Sequence, residues 1–320
     1  MSWQSALACW YLRRQFRPET RKPSINVGKA RALTARRAWS PRIPKGWRLR
    51  ERYGADDQPL RGEWLEPLDA ATAANAPTVL YFHGGGYYFC SPHTHRSIVF
   101  GLATRANAPV FSLDYRLAPE HPFPAALDDA AAAYRRVIAD GTPAGSIVIA
   151  GDSAGGGLAL ATLVALREAG DPMPAGCLLF SPWTDLAATG ATIRSNDGVD
   201  PMFSGAAIAL AAKLYLGDTT ATHPYASPVY ADLHGLPPLY ILAGSTEVLL
   251  DDARRVAENA RAAGVACELE VWEKMPHVWP LFAPFIPEAN RALDLAADFI
   301  RRVTREHDEA TQPSSAMSIV

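Results

Sequence analysis

Short runs of apolar and β-branched residues alternate with longer helical stretches over most of this 320-residue chain. The runs are apolar along their whole length, as in Val79-Leu-Tyr-Phe82, which is typical of strands buried on both faces. The alternation predicts an α/β fold, a largely parallel sheet with helices on both sides. The predicted strands are Thr78–Phe82, Val110–Leu113, Ser146–Ala150, Gly176–Phe180, Leu239–Ala243 and Cys267–Trp272.

An antiparallel hairpin is predicted before these strands. Trp47–Tyr53 and Leu60–Glu66 are strand-like and are joined by the turn-rich stretch Gly54–Pro59, an arrangement that favours a hairpin. Together with the later strands, the hairpin predicts a mostly parallel sheet of eight strands.

Two segments depart from the alternation and are predicted to form a helical lid. Residues 1–46 end in a Pro- and Gly-containing stretch that indicates a boundary. Between Phe180 and Leu239 the chain is far longer than a crossover needs, so an insertion at about 186–225 is expected to cover a site. The main α/β domain is predicted to span 47–304, and the polar residues 305–320 to be a disordered tail.

The N-terminal segment is strongly basic. Residues 1–52 hold 14 Lys and Arg against 2 Asp and Glu, which gives 14 − 2 = +12. Such a segment could bind nucleic acid or a membrane surface. However, Trp3, Leu7, Trp10 and Tyr11 recur at helical spacing, which predicts a lid helix packed on a core with arginines outside. We therefore expect no nucleic-acid partner.

The chain is expected to be cytoplasmic and without a membrane span. No apolar stretch reaches the roughly 18 residues that a spanning helix requires. The short apolar stretch at Ala6–Leu12 has neither a preceding positive charge nor a cleavage site, so it does not match a signal peptide.

The pentapeptide Gly151-Asp-Ser153-Ala-Gly155 lies between a predicted strand and an apolar helical stretch. A serine at such a glycine-flanked turn is typical of a nucleophile elbow, and the helix N-terminus favours developing negative charge. A phosphate-binding loop is the alternative, but the glycine spacing and the missing Lys-Ser/Thr argue against it. Ser153 is predicted to be a nucleophile.

A second glycine-rich loop, His83-Gly-Gly-Gly86, follows the strand Thr78–Phe82. In acyl-transfer enzymes such a loop supplies backbone N–H groups to one half of an oxyanion hole, and the residue after the nucleophile, here Ala154, supplies the other half. A sharp bend with no ligand role is the alternative.

The nucleophile needs a base and an acid, which follow it in the order acid, then histidine, in a fold of this kind. His223, His234, His277 and His307 follow Ser153. Only His277 lies on a loop between the last strand and the last helix, so we predict it to be the base.

Three carboxylates compete for the role of the acid. Glu247 follows the strand Leu239–Ala243 closely, whereas Asp251 and Asp252 fall at the start of the next helix, where acids are common as favourable N-terminal charges. The loop position favours Glu247 over both. Asp152, beside the nucleophile, is expected to hold neighbouring loops.

No metal or organic cofactor is predicted. The cysteines are far apart, without a C-x-x-C pair or a histidine at zinc-ligand spacing. No H-E-x-x-H sequence occurs. The cysteines are Cys9, Cys90, Cys177 and Cys267.

Taken together, these motifs resemble the bacterial hormone-sensitive-lipase family of esterases, over Thr78 to Phe299. The likeness rests on His83-Gly-Gly-Gly86, Asp114-Tyr-Arg-Leu-Ala-Pro-Glu-His-Pro122, Gly151-Asp-Ser-Ala-Gly-Gly156 and Pro276-His-Val278. It implies an α/β-hydrolase fold whose lid combines the N-terminal helices with the segment after the sixth strand.

The resemblance also implies site roles. Ser153 would be the nucleophile and His277 the base, while the family more often has aspartate in the place of Glu247. The implied oxyanion donors are Gly84, Gly85 and Ala154.

Within the family, Ser181–Asp185, Asp200–Met202 and Glu247–Asp252 are similar to the branch of monoterpene ε-lactone hydrolases and acetyl hydrolases. We predict a serine carboxylesterase that hydrolyses small esters with short to medium acyl chains through an acyl-enzyme. An ε-lactone or acetyl hydrolase remains open because the chemistry is shared, and a non-catalytic binding protein is a remote alternative. The expected partner is a small ester or lactone, and the family also allows a homodimer.

Overall fold

The computed structural model describes residues 1–37, 39–69 and 76–311. Its centre is an eight-stranded sheet in the order β1-β2-β4-β3-β5-β6-β7-β8. Both pairings of β2 are antiparallel and the others are parallel, so the predicted mostly parallel sheet of eight strands is confirmed. The strands are β1 Trp47–Arg52, β2 Gly62–Pro67, β3 Thr78–Phe82, β4 Val110–Leu113, β5 Ile147–Asp152, β6 Gly176–Phe180, β7 Leu239–Gly244 and β8 Cys267–Trp272.

Helices flank the sheet on both faces. Every residue of β3, β5, β6 and β7 is buried, which explains why these strands lack an alternating pattern. The helices are α1 Trp3–Gln15, α2 Arg17–Thr20, α3 Val27–Arg37, α4 Arg96–Ala106, α5 Ala125–Ala139, α6 Ala154–Ala169, α7 Thr192–Ser195, α8 Gly205–Leu216, α9 Leu250–Ala262 and α10 Pro287–Thr311.

Two apolar cores lie on opposite faces of the sheet. Along β3, Leu80 and Phe82 face one core, which the helices α5, α6 and α9 complete. Val79 and Tyr81 face the other core, which α4 and α10 complete. Because β3 to β8 run parallel to one another, they end at one common edge of the sheet, where the loops that follow them meet.

The packing predicted for α1 is wrong. Trp3, Leu7, Trp10 and Tyr11 do share one side of the helix, but that side faces solvent. The side turned toward the body carries Ser5 instead, whose hydroxyl donates to Glu288 Oε2 at 2.8 Å. A polar anchor thus holds the helix, and apolar periodicity alone could not show which side would be covered.

The N-terminal helices and the insertion pack against each other. The guanidinium of Arg17, in α2, donates to the carbonyl oxygen of Phe203 at 3.1 Å. The Thr20 hydroxyl donates to the Met202 carbonyl at 3.0 Å, and the Ser204 hydroxyl donates to the Thr20 carbonyl at 2.7 Å. These contacts join the two segments that were predicted to form a lid; the domain boundaries themselves stay predictions.

The predicted disordered tail is wrong for residues 305–311, which continue α10. Val303 and Thr304 are buried and anchor the helix just before this stretch. Extending an existing helix costs little, because the unfavourable nucleation step has already been made. Residues 312–320 lie outside the described residues.

None of the helices in the described ranges combines the length and the hydropathy needed to cross a bilayer.

Candidate active site

Ser153 lies at the turn where β5 ends and α6 begins. Its φ of 52° and ψ of −121° are strained for a residue with a side chain, and such strain is typical of functional sites. A Cβ atom on Gly155 would lie 2.0 Å from the Phe82 carbonyl oxygen, so only glycine allows β3 and α6 to approach this closely. The turn presents the Ser153 hydroxyl at the common edge of the parallel strands.

The structure brings Ser153, His277 and Glu247 together. The Oγ of Ser153 is 2.8 Å from Nε2 of His277, and Nδ1 of His277 is 2.7 Å from Oε2 of Glu247. All three side chains are buried. The residues come from three separate loops, after β5, β7 and β8.

The carboxylate fixes the tautomer of the histidine. Because an ionised Glu247 can only accept, Nδ1 of His277 carries the proton and Nε2 accepts from Ser153. Burial alone would lower the pKa of His277, but the charge of Glu247 and its hydrogen bond raise this pKa above its ordinary value. The same charge would stabilise an imidazolium at His277 if Ser153 passed its proton to Nε2.

Ser181 holds the carboxylate of Glu247 and was not identified from sequence as a site residue. Its hydroxyl donates to Oε1 of Glu247 at 2.7 Å and accepts from the Val278 amide at 3.1 Å. The Gly244 amide also donates to Oε1. The available signal was position: Ser181 comes directly after β6, at the strand edge where Ser153 and Glu247 also lie.

The rival aspartates have other partners. Asp251 accepts from the Thr192 amide at 3.0 Å. Asp252 is fully buried and accepts from the amides of Thr184 and Asp185 at 2.7 and 2.8 Å. Burial raises the pKa of Asp252 to about 7. Both carboxylates hold the segment after β6 instead of contacting His277.

The oxyanion prediction needs a correction at Gly84. Its amide already donates to Oδ1 of Asp152 at 2.9 Å, so it is not free to face a substrate oxygen. Within the described residues no acceptor contacts the amides of Gly85 or Gly86. The Ala154 amide, at the first position of α6, has no acceptor within its own helix.

Asp152 holds the glycine loop, as the sequence led us to expect for this residue. Its carboxylate also accepts from the Tyr81 hydroxyl at 2.6 Å and lies 3.2 Å from Nε2 of His95. Burial opposes ionisation, but His95 and Tyr81 outweigh it and lower the pKa of Asp152. The residue before Ser153 is therefore a buried anion tied to β3 and to the loop after it.

The insertion reaches His277 through Phe203. The ring of Phe203 meets His277 edge-on at 5.1 Å and the ring of Phe16 at 5.7 Å. Asp200, just before it, accepts from the Val248 amide at 2.9 Å and so braces the loop of Glu247. The insertion thus contacts His277 directly and the loop of Glu247 through Val248.

The remaining histidines after Ser153 lie elsewhere. His223 packs against Phe123 and Tyr225, His234 bonds to Asp232, and His307 lies against Gly145. In the described part of the chain, no group of three or more His, Cys, Asp or Glu side chains is placed to hold a metal ion.

Residues 79–281 match the family described as the alpha/beta hydrolase fold. An acetyl-hydrolase of Streptomyces hygroscopicus is 45% identical over 244 residues, which are 76% of this chain and 80% of that protein. An esterase of Acinetobacter venetianus is 36% identical over 241 residues, 75% of this chain and 78% of that protein.

Solved structures give the same result over almost the full chain. An esterase from the bacterial hormone-sensitive lipase family superposes with a TM-score of 0.85 at 39% identity, covering 95% of this chain and 99% of that chain. The protein EstE5, from a crystal soaked with p-nitrophenyl butyrate, superposes with a TM-score of 0.86 at 37% identity, covering 95% of this chain and 100% of that chain.

Proposed function

This chain belongs to the bacterial hormone-sensitive-lipase family of α/β hydrolases and hydrolyses carboxylic esters, and we propose that Ser153 is its nucleophile, His277 its base and Glu247 its acid. The predicted ester hydrolase is confirmed by these relatives, whereas a non-catalytic binding protein is not supported. The observation that carries the residue roles is the buried series of hydrogen bonds from Ser153 through His277 to Glu247.

In the first half-reaction, Oγ of Ser153 attacks the ester carbonyl carbon while its proton passes to Nε2 of His277. The carbonyl electron pair moves onto oxygen, and we propose that the amides of Ala154 and Gly85 stabilise that oxyanion. When the tetrahedral intermediate collapses, the bond to the alcohol oxygen breaks. The leaving alcohol takes the proton from His277, and the acyl group stays on Ser153.

Water completes the cycle through the same groups. His277, neutral again, removes a proton from a water molecule that attacks the acyl-enzyme carbonyl. The second tetrahedral intermediate uses the same two amides. Its collapse releases the carboxylic acid and returns the proton to Oγ of Ser153.

We propose small esters with short to medium acyl chains as substrates. Two relatives support this size: one is named an acetyl-hydrolase, and EstE5 was soaked with a butyrate ester. The contact between Phe203 and His277 places an aromatic ring of the insertion beside the reacting groups, which favours a small acyl group. An ε-lactone, as an internal ester, would undergo the same steps.

A substrate series tests this proposal. We expect kcat/KM for p-nitrophenyl esters to be highest at acetate to hexanoate and to fall by dodecanoate, with ε-caprolactone hydrolysed more slowly. The Ser153→Ala variant, assayed at equal concentration, corrects for spontaneous hydrolysis. A maximum at dodecanoate, or hydrolysis of lactones alone, would refute the proposed substrate range.

We further propose a cytoplasmic location and, for any homodimer, pairing through β8. This strand ends the sheet, and an edge strand offers unpaired backbone groups to a second copy. Sedimentation velocity over a range of concentrations tests the assembly: a monomer at all concentrations would reject the dimer.

A further inference from the structure

The outer side of α1 is an apolar surface with no cover within the described residues. Trp3, Leu7, Trp10 and Tyr11 are 73%, 55%, 52% and 46% exposed. Steps of three and four residues bring these side chains to one side of the helix. We call this surface the α1 outer face.

Positive charge accompanies these rings. The guanidinium of Arg14 lies over the Trp10 ring, 4.9 Å from its centre. Arg13 donates to the carbonyl oxygen of Val199 at 2.7 Å, so its charge, like that of Arg14, is not paired with a carboxylate among the described residues. The first 52 residues carry the net charge of 14 − 2 = +12. The aromatic groups therefore lie in a basic segment.

The α1 outer face is close to the active site. On the inner side of α1, Sγ of Cys9 lies 4.0 Å from the carbonyl oxygen of Lys274, on the loop that carries His277. One helix diameter, about 10 Å, thus separates the α1 outer face from that loop. The ring of Phe16, just after α1, contacts the ring of Phe203, which in turn contacts His277.

We propose that the α1 outer face binds the surface of membranes that contain anionic lipids. Tryptophan and tyrosine rings favour the boundary between headgroups and acyl chains, and arginines are attracted to anionic headgroups. A second copy fits less well, because a two-fold interface on this side would bring together two N-terminal segments that each carry a net charge of 14 − 2 = +12. The enzyme would then receive substrate from the lipid surface through the side next to His277. This inference goes beyond the proposed ester hydrolysis and does not depend on it.

Co-sedimentation with vesicles tests the inference. Full-length protein is mixed at low ionic strength with sucrose-loaded vesicles of phosphatidylcholine alone or with one quarter phosphatidylglycerol. We expect binding to the anionic vesicles, weakened by salt. The double variant Trp3→Gln/Trp10→Gln should lose most of this binding, and Leu7→Gln should weaken it independently. Arg14→Gln should weaken it about fivefold.

Leu68→Gln is the matched control. Leu68 is 63% exposed and follows β2, toward the opposite edge of the sheet from β8. It should bind vesicles like wild type, and all variants should keep their thermal midpoint and their hydrolysis of soluble p-nitrophenyl acetate.

Three results would overturn the inference. The first is equal binding by the double variant and wild type, and the second is equal loss in Leu68→Gln. The third is self-association that the double variant abolishes, with no vesicle binding by wild type, because that would assign the α1 outer face to a second copy. Loss of ester hydrolysis in Ser153→Ala with vesicle binding intact separates this inference from the proposed function.

Discussion

The carboxylate of Asp152 accepts a hydrogen bond from the Gly84 amide at 2.9 Å, so the residue beside Ser153 holds the glycine loop that follows β3. Asp152 ends β5, and Gly84 lies two residues after the neighbouring parallel strand β3, whose Phe82 pairs with Gly151. A Cβ atom on Gly84 would lie 2.2 Å from Oδ2 of Asp152. The elbow and the glycine loop therefore form one unit.

Asp152 is expected to act as a positioning residue. Asp152→Ala removes the acceptor of the Gly84 amide, and we expect kcat to fall at least about tenfold with a smaller change in KM, because a charged hydrogen bond is lost. Asp152→Asn keeps an oxygen for that amide and should recover part of kcat. Steady-state kinetics with p-nitrophenyl acetate measures both. Equal kcat in wild type and Asp152→Ala would contradict this role.

Glu247 is expected to contribute far more to catalysis than Asp251. Glu247→Gln keeps the shape of the side chain but no longer enforces the Nδ1–H tautomer of His277, so kcat should fall by up to about 10⁴. Asp251→Asn, which changes a nearby carboxylate at the start of α9 without touching the histidine, is the control and should stay within a few-fold of wild type. The reverse order would move the acid to Asp251.

The pH dependence reports on the same pair. His277 must be neutral to act as a base, so kcat/KM should rise with pH as the imidazolium loses its proton. The midpoint should lie above 6.5, because Glu247 raises the pKa of His277 beyond that ordinary value. Glu247→Gln should move the midpoint to lower pH through loss of the charge. An unchanged midpoint in that variant would show that Glu247 does not act on His277.

Asp252 is expected to make stability depend on pH. Burial raises its pKa from 3.8 to about 7, so the folded protein favours the protonated carboxyl. The resulting stabilisation is complete below pH 3.8 and is lost as the pH rises through about 7. Asp252→Asn can still accept from the Thr184 and Asp185 amides but cannot ionise, so its thermal midpoint should fall less with rising pH than that of wild type. In wild type the lost stabilisation should amount to a free energy of unfolding on the order of a few kcal/mol.

Asp56→Asn, at an exposed turn, is the control for this effect. Its thermal midpoint between pH 4 and 8 should follow that of wild type. Parallel curves for wild type and Asp252→Asn would contradict the raised pKa.

The sequence predicts the site residues whose positions follow from their order along the chain. It does not predict which of several chemically equivalent groups form a given hydrogen bond. The elbow required a glycine-flanked serine between strand and helix, and His277 was the one histidine between the last strand and last helix. The glycine loop offers several chemically identical amides, so only the position of Asp152 shows that the Gly84 amide is already engaged. The position of Ser181 directly after β6 places it near the site, but its role follows only from its contacts with Glu247 and Val278.

Helix α1 shows a second limit. Apolar side chains at helical spacing predict an amphipathic helix, but they do not say whether its apolar side meets a core. Here the serines at positions 2 and 5 bind Glu288 and turn Trp3 and Trp10 outward. The hydrogen bonds that set which side of α1 faces the core join residues far apart in sequence, so the apolar periodicity of α1 carries no information about them.

The most direct test of the account is covalent labelling of Ser153. A fluorophosphonate probe forms a bond to an activated serine oxygen, so mass spectrometry of the digested wild-type protein should find the adduct on the peptide that contains Gly151-Asp-Ser153-Ala-Gly155. Ser153→Ala should show no adduct and no ester hydrolysis above background. Labelling or hydrolysis that persists in Ser153→Ala would contradict the proposed nucleophile.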